Sequence, residues 1–164
     1  ARGERSRRTL PADVAIRLAR PSTGGMAIKA LRIGTLRYRA YANRRMPGRR
    51  VRSMPWITYD ETMSHHPHAR WLERAAQDDG AGRASLRVRD AETALEGAAA
   101  GLGMTLLPKI IADSDKRLLQ VETSANGPIP DREIWLIAHT DLAGVARVAS
   151  VMEWIRESFL CGDP

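Results

Sequence analysis

The chain has 164 residues, 43% of them hydrophobic and 27% charged, and a formal net charge of +7. That balance suits one globular domain or two small lobes with real cores, and excludes a disordered polymer. No apolar run reaches the roughly 18 residues that a membrane helix needs. The opening "ARGERSRRTL" is basic but carries no apolar h-region, so no secretory signal is read there. The chain starts without methionine, which suits a fragment. The single cysteine, Cys161, has no internal partner and fits a reducing compartment.

The basic balance rests on arginine: only Lys29, Lys109 and Lys116 are lysines. Two arginine clusters occur, Arg2 to Arg8 and Arg44 to Arg52. Neither lies on a clear helix with interleaved aromatics. They read as solvated loops, because net charge speaks to solubility and non-specific binding rather than to a site.

In chain order, "DVAIRLA" (13–19) alternates Val14, Ile16 and Leu18 against Ala15, Arg17 and Ala19, which predicts a strand. "STGG" (22–25) is a loop. "TLRYRAYAN" (35–43) alternates again and predicts a second strand with one wet face. "RRMPGRR" is a turn, and "PWITYD" (55–60) is a short strand. A helix starts near Pro67, which suits a first helical position. Its apolar side is Trp71, Leu72, Ala75 and Ala76. "QDDGAGR" turns into the strand "ASLRVRD" (84–90), with Leu86 and Val88 on one face.

From Ala91 the apolar positions Ala91, Ala94, Leu95, Ala98, Ala99 and Leu102 form a helical stripe. Asp90 is placed to cap its start, and Gly101 to take the left-handed position past its end. "MTLL" (104–107) is a buried strand ended by Pro108. "KIIADS" is a turn of helix. "RLLQVE" (117–122) and "EIWLIAH" (133–139) are strands. Asp141 is expected to cap a last helix that turns Leu142, Val145, Val148, Met152, Ile155 and Phe159 inward. Strand and helix alternate throughout, so the fold class is α/β.

Gly101-Leu102-Gly103 invites a phosphate-loop reading. Phosphate loops place their glycines after a strand and before a helix, so that the helix N-terminus faces the anion. Here the order is reversed, and the glycines form a helix-to-strand corner. The histidine cluster "SHHPH" (64–68) lacks cysteine and the His-Glu-x-x-His spacing of a zinc site, so no metal and no cofactor are assigned. Ser64, Ser85, Ser114, Ser150 and Thr62 lack a nucleophile context. Asp60 and Glu61 have no convergent third group. Nothing argues for an enzyme. In open α/β sheets ligands bind at the carboxyl ends of strands. Three such ends are Arg20-Pro21, Tyr59 to Thr62, and Arg89-Asp90, the last at the N-terminus of helix 91–100.

Five segments in order, "ADVAIRLARP", "LRYRAYAN", "PWI", "RVRDAETALEGAAAGLGMTLLP" and "EIWLIAHTDLAGVARVASVMEWI", make residues 10 to 160 resemble the effector-binding domain of LysR-type transcriptional regulators. Segment 91–108 is the most specific. Asp13, Ala15 and Arg17 match the family's opening strand pattern. The resemblance implies two Rossmann-like lobes of the type 2 periplasmic-binding-protein kind. It puts 10–41 plus 137–160 in the first lobe, which is expected to be incomplete, and 42–136 in the second. It implies a small-molecule effector held in the inter-lobe cleft to control DNA binding and transcription. The ligand-binding candidates it supports are Arg20, Tyr59, Asp60, Glu61, Thr62, His65, His66, Arg89, Asp90 and Ala91. A cytoplasmic homodimer or higher oligomer is expected. It would touch DNA only through a winged helix-turn-helix that these residues lack, and would meet no membrane. The alternative is a periplasmic-type solute-binding protein of the same fold, which an export signal would mark.

Overall fold

A computed structural model describes residues 13–21, 27–46, 53–78, 82–123 and 127–160. The strands are β1 (Val14–Arg17), β2 (Ile28–Leu36), β3 (Tyr38–Asn43), β4 (Trp56–Tyr59), β5 (Arg83–Val88), β6 (Thr105–Pro108), β7 (Leu118–Val121) and β8 (Arg132–His139). The helices are α1 (Pro67–Asp78), α2 (Ala91–Ala99), α3 (Lys109–Ala112), α4 (Thr140–Ala143) and α5 (Ala146–Leu160), with a 3-10 turn at Glu61–Met63. The loop read at 22–25, the cluster Arg2 to Arg8, residues 47–52 of the second arginine cluster and Cys161 lie outside the described residues.

The chain divides into two compact units. Unit 1 is Ala1–Thr35 with Glu133–Pro164, and unit 2 is Leu36–Arg132. Strand pairing puts β3 in unit 2: it is antiparallel to β6 and β7, with Ala40 opposite both Leu106 and Val121. The single strand expected over 35–43 is also two strands. Arg37 breaks the run because its carbonyl turns to the Lys109 N–H at 2.8 Å, while the Tyr38 N–H turns to Asp131 Oδ1 at 3.0 Å.

In unit 1 the sheet order is β1-β8-β2. β1 is antiparallel to β8, with Val14 opposite Ala138 and Ile16 opposite Leu136. β8 lies centrally and carries an apolar run, with Ile134, Leu136, Ile137 and Ala138 all buried. The part of β2 before residue 35 has no counterpart among the expected strands. The last helix also differs from expectation. It is two helices, interrupted at Gly144 and Val145, and His139 rather than Asp141 caps the first: His139 Nδ1 accepts from the Asp141 N–H at 3.3 Å. Val148 and Met152 face inward and are buried, as their spacing predicts.

In unit 2 the strands β4 and β5 are parallel, and an isolated parallel bridge joins Trp56 to Met104 just before β6. The spatial order is thus β5-β4-β6-β3-β7, with α1 and α2 in the crossovers between the parallel strands. The core holds Trp56, Ile57, Trp71, Leu72, Ala75, Val88, Ala94, Ala98, Leu106 and Leu107. Trp56 and Trp71 meet edge to face, with centroids 5.5 Å apart, an arrangement that suits ring quadrupoles.

Helix α2 follows its sequence signals. Asp90 Oδ1 accepts from the Thr93 N–H at 2.7 Å, and Gly101 takes φ of 81° past the helix end. The Leu102 N–H reaches back to the Gly97 carbonyl at 3.1 Å, which closes the last turn. Leu102 does not continue the buried stripe and is exposed, because the chain has already left the helix. The small residues of α2 let it lie close to the sheet. A Cβ on Gly97 would come within 2.8 Å of Leu86 Cδ2 and 3.1 Å of Ile57 Cδ1.

Candidate functional site

Because β4 and β5 run parallel, their carboxyl ends emerge side by side in unit 2. The Asp60 N–H donates to the Val88 carbonyl at 2.9 Å, which ties the two exits together. The Asp60 carboxylate then joins both exits through its side chain. Its Oδ1 accepts from the Thr62 N–H at 3.0 Å and from the Thr62 hydroxyl at 2.5 Å, capping the 3-10 turn. Its Oδ2 accepts from Arg89 Nε at 2.6 Å. Those hydrogen bonds, from Thr62 first and Arg89 next, hold its carboxyl below the usual carboxylate range. Arg89 remains 79% exposed in its side chain, so the rest of its donor fork is open to solvent.

Asp90 is the next residue of this rim. Both its oxygens are taken by Thr93, through the N–H at 2.7 Å and the hydroxyl at 3.0 Å. Those bonds depress its carboxyl, and they make it a helix cap rather than a free acceptor. Sequence neighbourhood suggests Asp90 or Glu92 as the partner of Arg89, whereas the partner is Asp60. Ala91 sits half-buried in the first turn of α2. Glu61 stands exposed on the 3-10 turn, and its carbonyl accepts from the Ser64 hydroxyl at 2.6 Å. Tyr59 is buried, and desolvation pushes its phenol well above the ordinary value.

His65 is exposed and His66 half-buried, with ring centroids 3.9 Å apart. His68, which the sequence offers only as part of the histidine cluster, is a core residue at 4% exposure. It stacks on Tyr38 at 4.8 Å and on His66 at 5.5 Å, and meets the Tyr59 ring edge-on at 5.2 Å. Burial pushes the His68 imidazole down to about 4, with His66 and Arg132 adding to the effect. Tyr38 and Arg132 are not among the residues that sequence reasoning selects. The signal for Tyr38 is present in the alternation of residues 35–43, but nothing local to Arg132 brings it to the histidines. Among the described residues no group of three His, Cys, Asp or Glu side chains is arranged to hold a metal ion.

The structure thus joins Asp60, Thr62 and Arg89 by hydrogen bonds, and places Tyr59, Glu61, His65 and His66 on the same segment. Arg20 belongs to unit 1, where its guanidinium lies 5.5 Å from the Trp135 ring centroid, within cation–π range.

Comparison with known proteins adds the family. Residues 11–160 match the LysR substrate binding domain. The regulatory domain of CrgA from Neisseria meningitidis superposes with a TM-score of 0.65 at 14% identity, covering 90% of this chain and 75% of that one. The CcmR regulatory domain of Synechocystis PCC6803, in complex with 2-PG, gives 0.64 at 12% identity, covering 91% and 74%. The sulfate-bound OxyR2 E204G regulatory domain from Vibrio vulnificus gives 0.58 at 18% identity, covering 90% and 70%. Against a longer CrgA chain the coverage falls to 53% of that chain. No curated protein matches by sequence. These regulatory domains have the type 2 periplasmic-binding-protein fold, and the family match favours a regulator over the solute-receptor alternative. By that match over nearly its whole length, the chain belongs to the LysR substrate-binding domain family.

Proposed function

We propose that this chain senses a small molecule at the carboxyl ends of β4 and β5, and passes its occupancy to the DNA-binding part of a cytoplasmic LysR-type regulator. Units 1 and 2 are the two lobes of this effector-binding domain in that reading, and no catalytic step is assigned to it. The observation that carries it is the exposed Arg89 fork, fixed by Asp60 beside the first turn of α2. Parallel strand ends next to a helix start are where such folds take ligands. The 2-PG and sulfate of the two related domains support a small anion. A thermal-shift screen of metabolites is the test, since a ligand of the folded state raises its melting temperature. A true effector should lose about tenfold or more in affinity on Arg89→Ala, the order expected for a lost charge-assisted fork. Unchanged affinity would leave Arg89 as a surface partner of Asp60.

Self-association belongs to the same reading. Among the described residues of unit 1, Ile16, Leu31, Val151 and Trp154 are exposed, Trp154 at 67%. Apolar surface of this kind favours pairing. Light scattering at micromolar concentration should show a dimer or larger species, and Trp154→Glu should shift it toward monomer. A monomer at every concentration would refute the expectation.

A further inference from the structure

Unit 2 begins at Leu36 and ends at Arg132. Neither end has the glycine or serine of a flexible linker: the sequence is "TLRY" at the first and "PDRE" at the second. The approach to the second end is held at several points. The Gly127 carbonyl accepts from Trp71 Nε1 at 3.3 Å, Ile129 packs on the core, and Pro128 and Pro130 fix their own φ. At Asp131 the two ends meet. Its Oδ1 accepts from the Tyr38 N–H at 3.0 Å and from Arg39 Nη1 at 3.3 Å, across 93 and 92 residues of sequence. Arg39 Nη1 also donates to the Tyr38 carbonyl at 2.6 Å, so one ion pair holds the main chain of Tyr38 on both sides. One residue earlier, the Arg37 carbonyl accepts from the Lys109 N–H at 2.8 Å.

Tyr38 is also one end of a path of buried rings. It stacks on His68 at 4.8 Å, and His68 meets Tyr59 edge-on at 5.2 Å. Tyr59 precedes Asp60, whose carboxylate holds Thr62 and Arg89. In an interior this closely packed, one ring cannot shift without its neighbours.

We propose that Asp131 is a clip that fastens the start of unit 2 to its end, so that a displacement of the rim at Asp60, carried through Tyr59, His68 and Tyr38, reaches both passages of the chain together. The proposal rests on the reading that this rim senses a small molecule, and it supplies the regulation of that site. Asp131 is a positioning residue: it acts through the main chain of Tyr38 and touches no ligand. Without it, the passage at Leu36 and the passage at Arg132 would answer the rim separately. A route of this kind is demonstrated only when its two ends are shown to be coupled.

The test uses the whole chain without ligand, followed by amide hydrogen exchange and by trypsin. Asp131→Ala is expected to speed exchange of the Tyr38 amide about fivefold or more, the order of one lost hydrogen bond. The Ile57 amide, bonded to the Met104 carbonyl at 2.8 Å, should keep its rate. Asp131→Asn retains an oxygen that can accept from the Tyr38 N–H and should restore most of the protection. Trypsin should cut faster after both Arg37 and Arg132 in Asp131→Ala. The link to the rim is read by Arg89→Ala, which releases Asp60 from its ion pair. The Tyr38 amide resonance should then move, and that of Leu118, at the start of β7, should not. His68→Ala should remove this response, and His68→Phe, which keeps a ring, should preserve it. The proposal is overturned if the Tyr38 and Ile57 amides speed up alike, or if only the cut after Arg132 is faster. It is equally overturned if Arg89→Ala moves both resonances or neither, or if the response survives His68→Ala. A metabolite screen with no stabilising compound would sink the sensing reading, while exchange and trypsin decide the clip without any ligand.

Discussion

Replacing Gly103 by alanine is expected to cost about 3 kcal/mol of stability, the upper part of the range for overpacking a filled site. A Cβ at that position would lie 2.5 Å from the Pro55 carbonyl oxygen and 2.9 Å from Ile57 Cγ1. The obstructing oxygen is backbone, so no side chain can swing away to relieve the clash. Nor can Pro55 retreat freely, because its carbonyl accepts from the Met104 N–H at 3.0 Å, next to the Ile57 N–H bond to the Met104 carbonyl at 2.8 Å. Those two bonds join β4 to the strand leading into β6. Moving Pro55 therefore strains the strand that ends in Tyr59 and Asp60. Gly101→Ala is the matched control. There φ is 81° and the nearest atom to a new Cβ is Asn43 Nδ2 at 4.0 Å, so the cost is backbone strain alone, about 1 kcal/mol. Urea denaturation of the two variants checks the order. If Gly103→Ala unfolds no more easily than Gly101→Ala, the close approach is not what demands glycine at 103.

The same pair of glycines separates what is legible in the sequence from what is not. The corner at 101 is legible because its cause is local: a helix stripe ends and a left-handed residue must follow. Asp90 and Pro67 are legible for the same reason. Gly103 reads as part of that corner, whereas its neighbour is Pro55, which only the folded sheet brings near. β2 is hidden because "IKALRIGTL" offers little of the alternation of a half-buried strand. Lys29, Ala30, Leu31 and Arg32 are all exposed, and Ile33 is its one buried side chain. The break at Arg37 is hidden because it comes from partners at Lys109 and Asp131, far along the chain. At the candidate site, the strand ends are legible as a consequence of α/β alternation. The Asp60–Arg89 pairing and the place of Arg132 are not, since both depend on which strands lie side by side.

Acid should weaken this protein between about pH 6.5 and about pH 4 through His68, before most of its carboxylates are protonated. The unfolded imidazole titrates near 6.5, while burial against Tyr38, Tyr59 and His66 holds the folded one down to about 4. Above this window both states carry neutral His68 and its contribution is constant. Within it the unfolded chain binds the proton and the folded chain does not, so each step down in pH favours unfolding. Below it both states are protonated and the loss levels off. A full shift of this size would correspond to about 3 kcal/mol at most. The carboxylates of Asp60, Asp90, Asp113 and Asp115 are held low by their hydrogen bonds, so the stability they lend is lost at still lower pH. His66 is also depressed by burial and shares part of the window. His68→Phe isolates the buried group: it keeps a ring between Tyr38 and His66 and removes the unpartnered Nδ1. Urea midpoints measured at about pH 7.5, 6 and 5 should fall steeply for the parent chain and clearly less for His68→Phe, with the variant no less stable at the highest pH. An equal fall in both proteins would show that His68 is not the group whose protonation opposes folding.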